Sequence, residues 1–262
     1  MKSIHIKAGL GNQMFQYVYG RSLELAGKKV VFDLSFFYGN KAKGDTSREF
    51  TLDKFNIKTN ALFVQHRRYP LYALYKKFLR LLGHKVEEYF QEDTYVKHIE
   101  QHIRNEFTLR DPLSKKAQDI RKKIQSTTSV SIHVRRGDYV SNKETHAYHG
   151  LCSLTYYQEA MRHIAQEVVS PSYFIFSDDS AWAKEYLNVS GAIFVSDFEF
   201  PDYEDLMLMS ECKYNIIANS SFSWWGAWLN TYEKKIVIAP KKWFQASKTS
   251  EYSIVPSSWI RI

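Results

Sequence analysis

The sequence predicts an α/β fold with parallel sheets. Short apolar segments rich in β-branched residues alternate with amphipathic helical segments along the chain, and this alternation is typical of βα units. Hydrophobic residues make up 44% of the 262 residues, whereas Gly and Pro together contribute only 11 + 6 = 17. The composition is therefore that of a globular protein with a substantial core, and the length allows one large domain or two compact ones.

The N-terminal part of the chain predicts one βαβ unit followed by an irregular region. The unit comprises a strand at 4–7, a helix at 13–26 that ends at Gly27, and a strand at 30–33. Between residues 45 and 108 the periodicity is weak, apart from a basic amphipathic helix at 71–82. This region carries no readable site motif.

Regular alternation returns after Pro112 and predicts a doubly wound sheet in the C-terminal half. The predicted helices are 113–125, 156–168, 182–187, 203–211 and 222–229, and the predicted strands are 130–134, 173–176, 192–195, 214–218 and 236–238. The polar run Ser126-Thr127-Thr128-Ser129 separates the irregular part from the regular one. We therefore predict two domains, at 1–126 and 127–262.

Charge and cysteine content narrow the possible partners and locations. The net charge of +8 favours an anionic partner such as nucleic acid, a membrane face or a phosphorylated small molecule. Only two cysteines occur, Cys152 and Cys212, and they are far apart in the sequence. The sequence therefore shows no pattern of a disulfide framework or of a zinc knuckle. The first residues lack a signal-peptide pattern and no segment is long and apolar enough to span a membrane. These features predict a cytoplasmic protein, or one peripheral to the inner face of the cytoplasmic membrane.

The first predicted strand leads into Gly9-Leu10-Gly11-Asn12-Gln13. A Gly-x-Gly turn lets the backbone approach a ligand closely, but the dinucleotide fingerprint requires a third glycine where Met14 stands. Nicotinamide and flavin cofactors are therefore disfavoured. Asn12 either caps the helix or, together with Gln13, faces a ligand cleft as a hydrogen-bonding group.

The segment His133-Val134-Arg135-Arg136-Gly137-Asp138 follows the first strand of the C-terminal half. Ligands of open α/β sheets bind beyond the carboxyl ends of strands, and a guanidinium there offers a forked donor that matches a diphosphate. Arg135 is thus the candidate anion-binding residue. The alternative is a structural turn in which Asp138 pairs with Arg136.

Other polar groups occur where strands end or helices begin. Asp178 or Asp179 could cap the next helix, and because the two are adjacent they do not form an Asp-x-Asp metal motif. The stretch His146 to Cys152 lacks a fourth zinc ligand, although His149 could line the cleft. Asp205 either faces solvent or binds the edge of a base.

The segment Asn219-Ser220-Ser221-Phe222-Ser223-Trp224-Trp225 follows a buried strand and opens a helix. Hydroxyls and free N–H groups at a helix N-terminus bind anions without a cation, so Ser220 and Ser221 are candidate phosphate contacts. The alternative is a serine cap followed by a helix whose tryptophans pack in the core.

Three segments together resemble bacterial α-1,2-fucosyltransferases of glycosyltransferase family 11. They are Gly-Leu-Gly-Asn-Gln-Met-Phe-Gln-Tyr at 9–17, His-Val-Arg-Arg-Gly-Asp-Tyr at 133–139 and Asn-Ser-Ser-Phe-Ser-Trp-Trp-Gly-Ala-Trp at 219–228. The resemblance implies a GT-B architecture, in which two Rossmann-like domains face a central cleft and the C-terminal domain binds GDP-fucose. It also implies an inverting transfer of fucose to O2 of a terminal β-galactoside on a surface or lipopolysaccharide glycan, without a metal or other cofactor.

The resemblance also implies roles for individual residues. The donor-binding residues would be His133, Arg135, Asp178, Asp205, Ser220 and Ser221, with Arg135 on the β-phosphate and Asp205 on guanine N1 and N2. From their own positions in the sequence, Asn12, Gln13 and His149 are the expected acceptor-side residues. A general base is less well defined: Asp138, three residues beyond Arg135, is the first candidate, and Glu144 and His149 are the alternatives.

Two other classes of protein fit part of the sequence. A nucleic-acid-binding protein would account for the positive charge, but it needs basic residues interleaved with aromatic ones on one face, and the basic segment at 71–85 suits an anionic membrane surface instead. A non-enzymatic glycan-binding protein would need neither Arg135 nor a Gly-x-Gly turn, and it should bind glycan without GDP.

Overall fold

The computed structural model consists of two compact units, Met1–Asp111 and Pro112–Ile262. It describes residues 1–38, 48–64, 74, 89–137, 140, 150–245 and 254–262. The units divide before the helix at Lys115–Gln125, whereas the sequence predicts the boundary after it. The helix belongs to the second unit because Ser114, its N-cap, donates to the buried Glu204 carboxylate through its backbone N–H (2.5 Å) and its hydroxyl (2.8 Å).

The first unit contains a three-stranded parallel sheet in the order β1-β2-β3. Its elements are β1 (Lys2–His5), α1 (Leu10–Leu25), β2 (Val30–Asp33), α2 (Ser35–Tyr38), β3 (Leu62–Val64), α3 (Asp93–His98) and α4 (Glu100–Glu106). The predicted βαβ unit is present. The sequence did not predict α3 and α4, and the predicted helix at 71–82 lies outside the described residues except for Leu74.

The attachment of α4 to α1 depends on a buried charged group. Glu106 is 2% exposed and accepts from the Tyr17 hydroxyl and from Arg21 Nε (3.0 Å). Because an unpaired carboxylate is costly to bury, these two partners on α1 specify where α4 packs. The short polar helices at 93–106 carry little amphipathic signal of their own.

The second unit contains a six-stranded parallel sheet in the order β6-β5-β4-β7-β8-β9. Its elements are α5 (Lys115–Gln125), β4 (Ser129–Val134), α6 (Leu154–Glu167), β5 (Ser172–Ser177), α7 (Ser180–Leu187), β6 (Ile193–Phe194), α8 (Asp202–Glu211), β7 (Tyr214–Ile216), α9 (Ser221–Leu229), β8 (Val237–Ala239) and β9 (Ile260–Arg261). Except for β9, which was missed, these correspond to the predicted elements within a few residues.

The strand order locates the ligand-binding edge of this sheet. The chain proceeds from β4 outward to β5 and β6 and then returns to the other side of β4 to form β7. The order therefore reverses between β4 and β7, and in open α/β sheets ligands bind at such a reversal, beyond the carboxyl ends of the strands. Two α/β units with parallel sheets confirm the predicted fold class.

A close approach involving a glycine brings α8 and α9 together. Gly226 on α9 faces Met209 on α8, where an added Cβ would lie 2.5 Å from the Met209 sulfur. Trp224 and Trp225 are fully buried, and Trp224 donates to the Ile254 carbonyl at 2.7 Å. The predicted core packing of the tryptophans is confirmed.

In the described part of the chain, no helix has the length and apolar character needed to cross a membrane.

Candidate functional site

The carboxyl end of β4 carries Arg135 beside the end of β5. In the sheet register Val134 is opposite Ser177, so the residues that follow the two strands are neighbours. Arg135 Nη1 lies 3.0 Å from Asp178 Oδ2, and both side chains are partly exposed, at 20% and 27%. The pair leaves part of the guanidinium accessible at the point where the strand order reverses.

Asp178 is fixed by more than this ion pair. Its other oxygen, Oδ1, accepts from the backbone N–H of Arg136 at 2.7 Å. Gly137 passes so close that an added Cβ would lie 2.7 Å from Asp178 Oδ2. The sequence alone gives no sign of this role for Gly137. Its small size allows the turn to close around the carboxylate that orients Arg135.

Arg136 and Asp179 form a second pair with a structural role. Arg136 Nε donates to Asp179 Oδ2 at 3.0 Å, and its guanidinium lies 4.3 Å from the centre of the Trp182 ring. Asp179 also caps α7 by accepting from Trp182 N–H at 3.1 Å. Of the two adjacent aspartates, Asp179 is thus the helix cap. The structure pairs Arg136 with Asp179, whereas the structural alternative in the sequence analysis paired it with Asp138.

His133 is the penultimate residue of β4, two residues before Arg135, and is 5% exposed. Its Nδ1 atom is buried and has no hydrogen-bond partner. Burial lowers the pKa of His133 to about 4, an effect that the Asp178 carboxylate opposes and the Arg135 guanidinium reinforces. The imidazole is therefore neutral at pH 7 and offers a hydrogen-bonding nitrogen rather than a charge.

The His133 ring also connects β4 to the start of α9, because it lies 5.6 Å from the Phe222 ring. Ser220 occupies the N-cap position of α9, but its hydroxyl makes no capping hydrogen bond. The preceding Asn219 is 3% exposed and donates to the carbonyls of Gly150 (3.4 Å) and Trp243 (3.3 Å). The amide holds the turn in place, a function that sequence analysis did not assign to it.

Asp205 lies on α8, which packs against α9. Its Oδ1 atom is buried and has no hydrogen-bond partner. Burial, together with the nearby Asp202 and Glu204 carboxylates, raises the pKa of Asp205 to about 7. An acceptor that is buried without a partner is costly, so this carboxyl group is suited to a ligand that supplies donors.

The two predicted acceptor-side residues of the first unit differ in their surroundings. Asn12 lies in the first turn of α1, whose N-cap is Gly9, so Asn12 is not the cap; its Oδ1 accepts from Gln91 Nε2 at 2.6 Å. Gln13 is fully buried. It donates to two backbone carbonyls, of Ala8 (3.0 Å) and Glu49 (2.8 Å), and accepts from Thr51 N–H (3.0 Å).

These contacts correct the predicted role of Gln13. Both of its N–H donors are used by the chain itself, so the side chain braces the backbone segment around Glu49 rather than facing a ligand. Local sequence could not reveal this, because Glu49 is distant along the chain.

The remaining predicted residues lie outside the described part of the chain. They are Asp138, Glu144, His146 and His149. Within residues that the structure describes, no group of three or more His, Cys, Asp or Glu side chains could hold a metal ion. Both cysteines are free thiols.

The assembled site combines an oriented guanidinium, a neutral buried imidazole and the N-terminus of a helix at one sheet edge.

The family model for glycosyl transferase family 11 matches residues 1–262. An O-antigen biosynthesis glycosyltransferase of Escherichia coli, WbnK, is 33% identical and the alignment covers 98% of this chain and 99% of that protein.

Two further relatives are named for α-1,2 transfer. An alpha-1,2-colitosyltransferase of Escherichia coli is 35% identical over 98% of this chain and 97% of its own length. A galactoside alpha-(1,2)-fucosyltransferase 1 of Leontocebus fuscicollis is 29% identical over 52% of this chain and 40% of its own length. The match of the family model and the two near-full-length relatives agree, and the chain belongs to glycosyl transferase family 11.

Proposed function

We propose that this glycosyltransferase moves L-fucose from GDP-β-L-fucose to O2 of a terminal β-galactoside, with inversion, on a surface or lipopolysaccharide glycan. The observation that carries the proposal is the Arg135 guanidinium, oriented by Asp178 at the strand-order reversal. A forked cation there matches the diphosphate of a nucleotide sugar. Ser220 and Ser221, at the start of α9, supply further donors to phosphate oxygens.

The chemistry of transfer explains the need for these groups. When the bond between fucose C1 and the phosphate oxygen breaks, negative charge grows on GDP while the sugar acquires oxocarbenium character. Arg135 and the N-terminus of α9 stabilise that growing charge. The galactose O2 attacks C1 from the opposite face, its proton passes to a general base, and the β-linked donor becomes an α-linked product.

The names of the relatives leave two sugars as alternatives for the donor. Colitose is fucose without the 3-hydroxyl group, so the two nucleotide sugars differ in one hydrogen-bonding group. Product analysis with GDP-fucose and GDP-colitose against a panel of β-galactosides separates them. We expect an α-1,2-fucosylated product; transfer of colitose alone would contradict the choice of donor, and no transfer with either sugar would contradict the proposed function.

We further propose that the reaction needs no divalent cation, because Arg135 and the N-terminus of α9 stabilise the negative charge of the diphosphate that a metal ion would otherwise stabilise. GDP at ~100 times its Kd should then raise the free energy of unfolding by about 2.7 kcal/mol in buffer that contains EDTA. Chemical denaturation with and without GDP measures this increase. If EDTA abolished activity and manganese restored it, the proposal of a metal-independent reaction would be contradicted.

Recognition of guanine by Asp205 should depend on pH. The carboxyl group of Asp205, with one buried oxygen and a pKa raised to about 7, must ionise to accept from both guanine N1–H and the N2 amino group. Below about pH 7 the preference for GDP over ADP should therefore fall by up to about tenfold per pH unit, and above about pH 8 it should be constant. Taking the ratio of the two Kd values cancels ionisation of the phosphates, which the nucleotides share.

The matched control for this pH dependence is Asp205→Asn, which cannot ionise. In this variant the preference for GDP over ADP should be weak and independent of pH. A ratio that stays constant between pH 5.5 and 8.5 in the unaltered protein would show that Asp205 does not bind the base.

Association with an anionic membrane surface and the absence of nucleic-acid binding stay predictions from the sequence. The basic helix at 71–82, on which the first depends, lies almost entirely outside the described residues. Sedimentation with vesicles of anionic or neutral lipid tests that contact directly.

A further inference from the structure

A pair of phenylalanine rings lies in the segment between β6 and α8. The rings of Phe198 and Phe200 stack with their centroids 5.5 Å apart and their planes only 5° from parallel. Phe198 is 41% exposed. Between them Glu199 adopts a left-handed backbone conformation, with φ of 53°, which is unfavourable for a residue other than glycine. The strained turn brings two apolar rings side by side near the protein surface.

Hydrogen bonds attach this segment to the sheet edge that carries Arg135. Ser196 Oγ accepts from the backbone N–H of Ser177 at 2.6 Å, and Ser177 directly precedes Asp178. Asp197 accepts from the hydroxyl of Ser180, the first residue of α7, at 2.8 Å. The turn that bears the rings is therefore held beside the carboxyl end of β5, the strand next to β4.

The other end of the segment leads to Asp205. The carbonyl of Pro201, the residue after Phe200, accepts from Asp205 N–H at 3.2 Å. Along the chain, the aromatic pair therefore falls between a segment that is hydrogen-bonded to Ser177, next to Asp178, and the first turn of α8, which carries Asp205 with its buried, unpartnered carboxyl oxygen. A nucleoside diphosphate has the same order of groups: a diphosphate, a flat aromatic base, and hydrogen-bond donors on the edge of that base.

We propose that Phe198 and Phe200 form the surface on which the guanine base of the donor stacks, while Asp205 binds the edge of the base. This assignment rests on the proposed GDP-fucose donor. Every base has an apolar face that stacks on an aromatic ring, so the rings supply affinity and the carboxylate supplies selectivity. The larger purine covers more of the ring surface than a pyrimidine does, which favours GDP and ADP over UDP.

The test measures nucleotide binding by titration calorimetry in folded variants. Phe198→Ala and Phe200→Ala should each raise the Kd for GDP by about tenfold or more, whereas Phe198→Tyr, which keeps the ring, should bind within about threefold of the unaltered protein. Tyr232→Ala is the matched control, because Tyr232 is also a partly exposed aromatic residue but lies in the loop before β8, at the amino ends of the parallel strands. Its Kd should not change.

Inorganic pyrophosphate, used as a probe without a base, separates stacking from general damage to the site. Its binding should be the same in the alanine variants as in the unaltered protein. Equal weakening of pyrophosphate and GDP would overturn the stacking assignment, because the rings would then only support the fold. The thermal unfolding midpoint of each variant identifies any that fail to fold, and Phe198→Leu then replaces Phe198→Ala, since leucine keeps apolar volume without a stacking face.

The outcomes distinguish this inference from the function on which it rests. If the unaltered protein binds GDP and transfers fucose but both alanine variants bind GDP equally well, the stacking surface is wrong and the proposed function stands. If the unaltered protein fails to bind GDP at all, the donor assignment fails and the stacking surface fails with it.

Discussion

Replacing Arg135 with lysine is expected to lower kcat/KM by about 10²–10³-fold, nearly as much as replacing it with alanine. The structure places Arg135 Nη1 on Asp178 Oδ2 at 3.0 Å, and this contact orients the guanidinium plane. A lysine ammonium is a point charge that cannot contact the carboxylate and fork onto a diphosphate in the same geometry. Steady-state kinetics with varied donor and calorimetry with GDP measure the loss of transfer and of binding.

Arg136→Lys is the matched control for this substitution. Arg136 stacks on Trp182 and pairs with Asp179. Its replacement should therefore act mainly by lowering the thermal unfolding midpoint, with a smaller effect on kcat. Retention of most of kcat in Arg135→Lys, combined with its loss in Arg136→Lys, would require the roles of the two arginines to be exchanged.

Asp138→Asn is expected to lower kcat by about 10²–10⁴-fold while the Kd for GDP stays almost unchanged. Asp138 lies outside the described residues, and the expectation rests on its position three residues beyond Arg135. A general base acts only as the galactose hydroxyl loses its proton, so its removal should affect the rate and leave the binding of GDP intact. Single-turnover kinetics with saturating donor and acceptor measure the chemical step.

A proportional loss of GDP affinity and rate in Asp138→Asn would show instead that the residue orients Arg135 or Arg136. Glu144→Gln, tested in parallel, examines the alternative carboxylate. If neither substitution slows the chemical step, the departing phosphate must accept the proton itself.

Local sequence patterns were sufficient to predict the parallel sheets and the strand ends that carry polar residues. The alternation of β-branched strands with amphipathic helices depends on neighbouring residues alone. It therefore predicted β4 and placed Arg135 directly after it. The Asn-Ser-Ser-Phe motif likewise predicted a helix from Phe222, one residue after the observed start at Ser221. The family, too, could be inferred from three short motifs before any contact was known.

Only the tertiary structure shows the residue roles that depend on contacts between segments distant along the chain. Asp178 and Asp179 are adjacent and chemically equal in the sequence. Their roles differ because the register that sets Val134 opposite Ser177 brings Asp178 to Arg135. In the same way Glu204, distant along the chain, assigns α5 to the second unit.

The divergent outcomes for Gln13 and Asp205 have the same physical reason. Both are polar residues, and for each a ligand contact is one of the alternatives that the sequence leaves open. Backbone groups at Ala8, Glu49 and Thr51 use the hydrogen-bonding capacity of Gln13, whereas an oxygen of Asp205 is buried without a partner. Whether a polar group is satisfied depends on which distant atoms the fold brings to it, and periodicity along the chain does not contain that information.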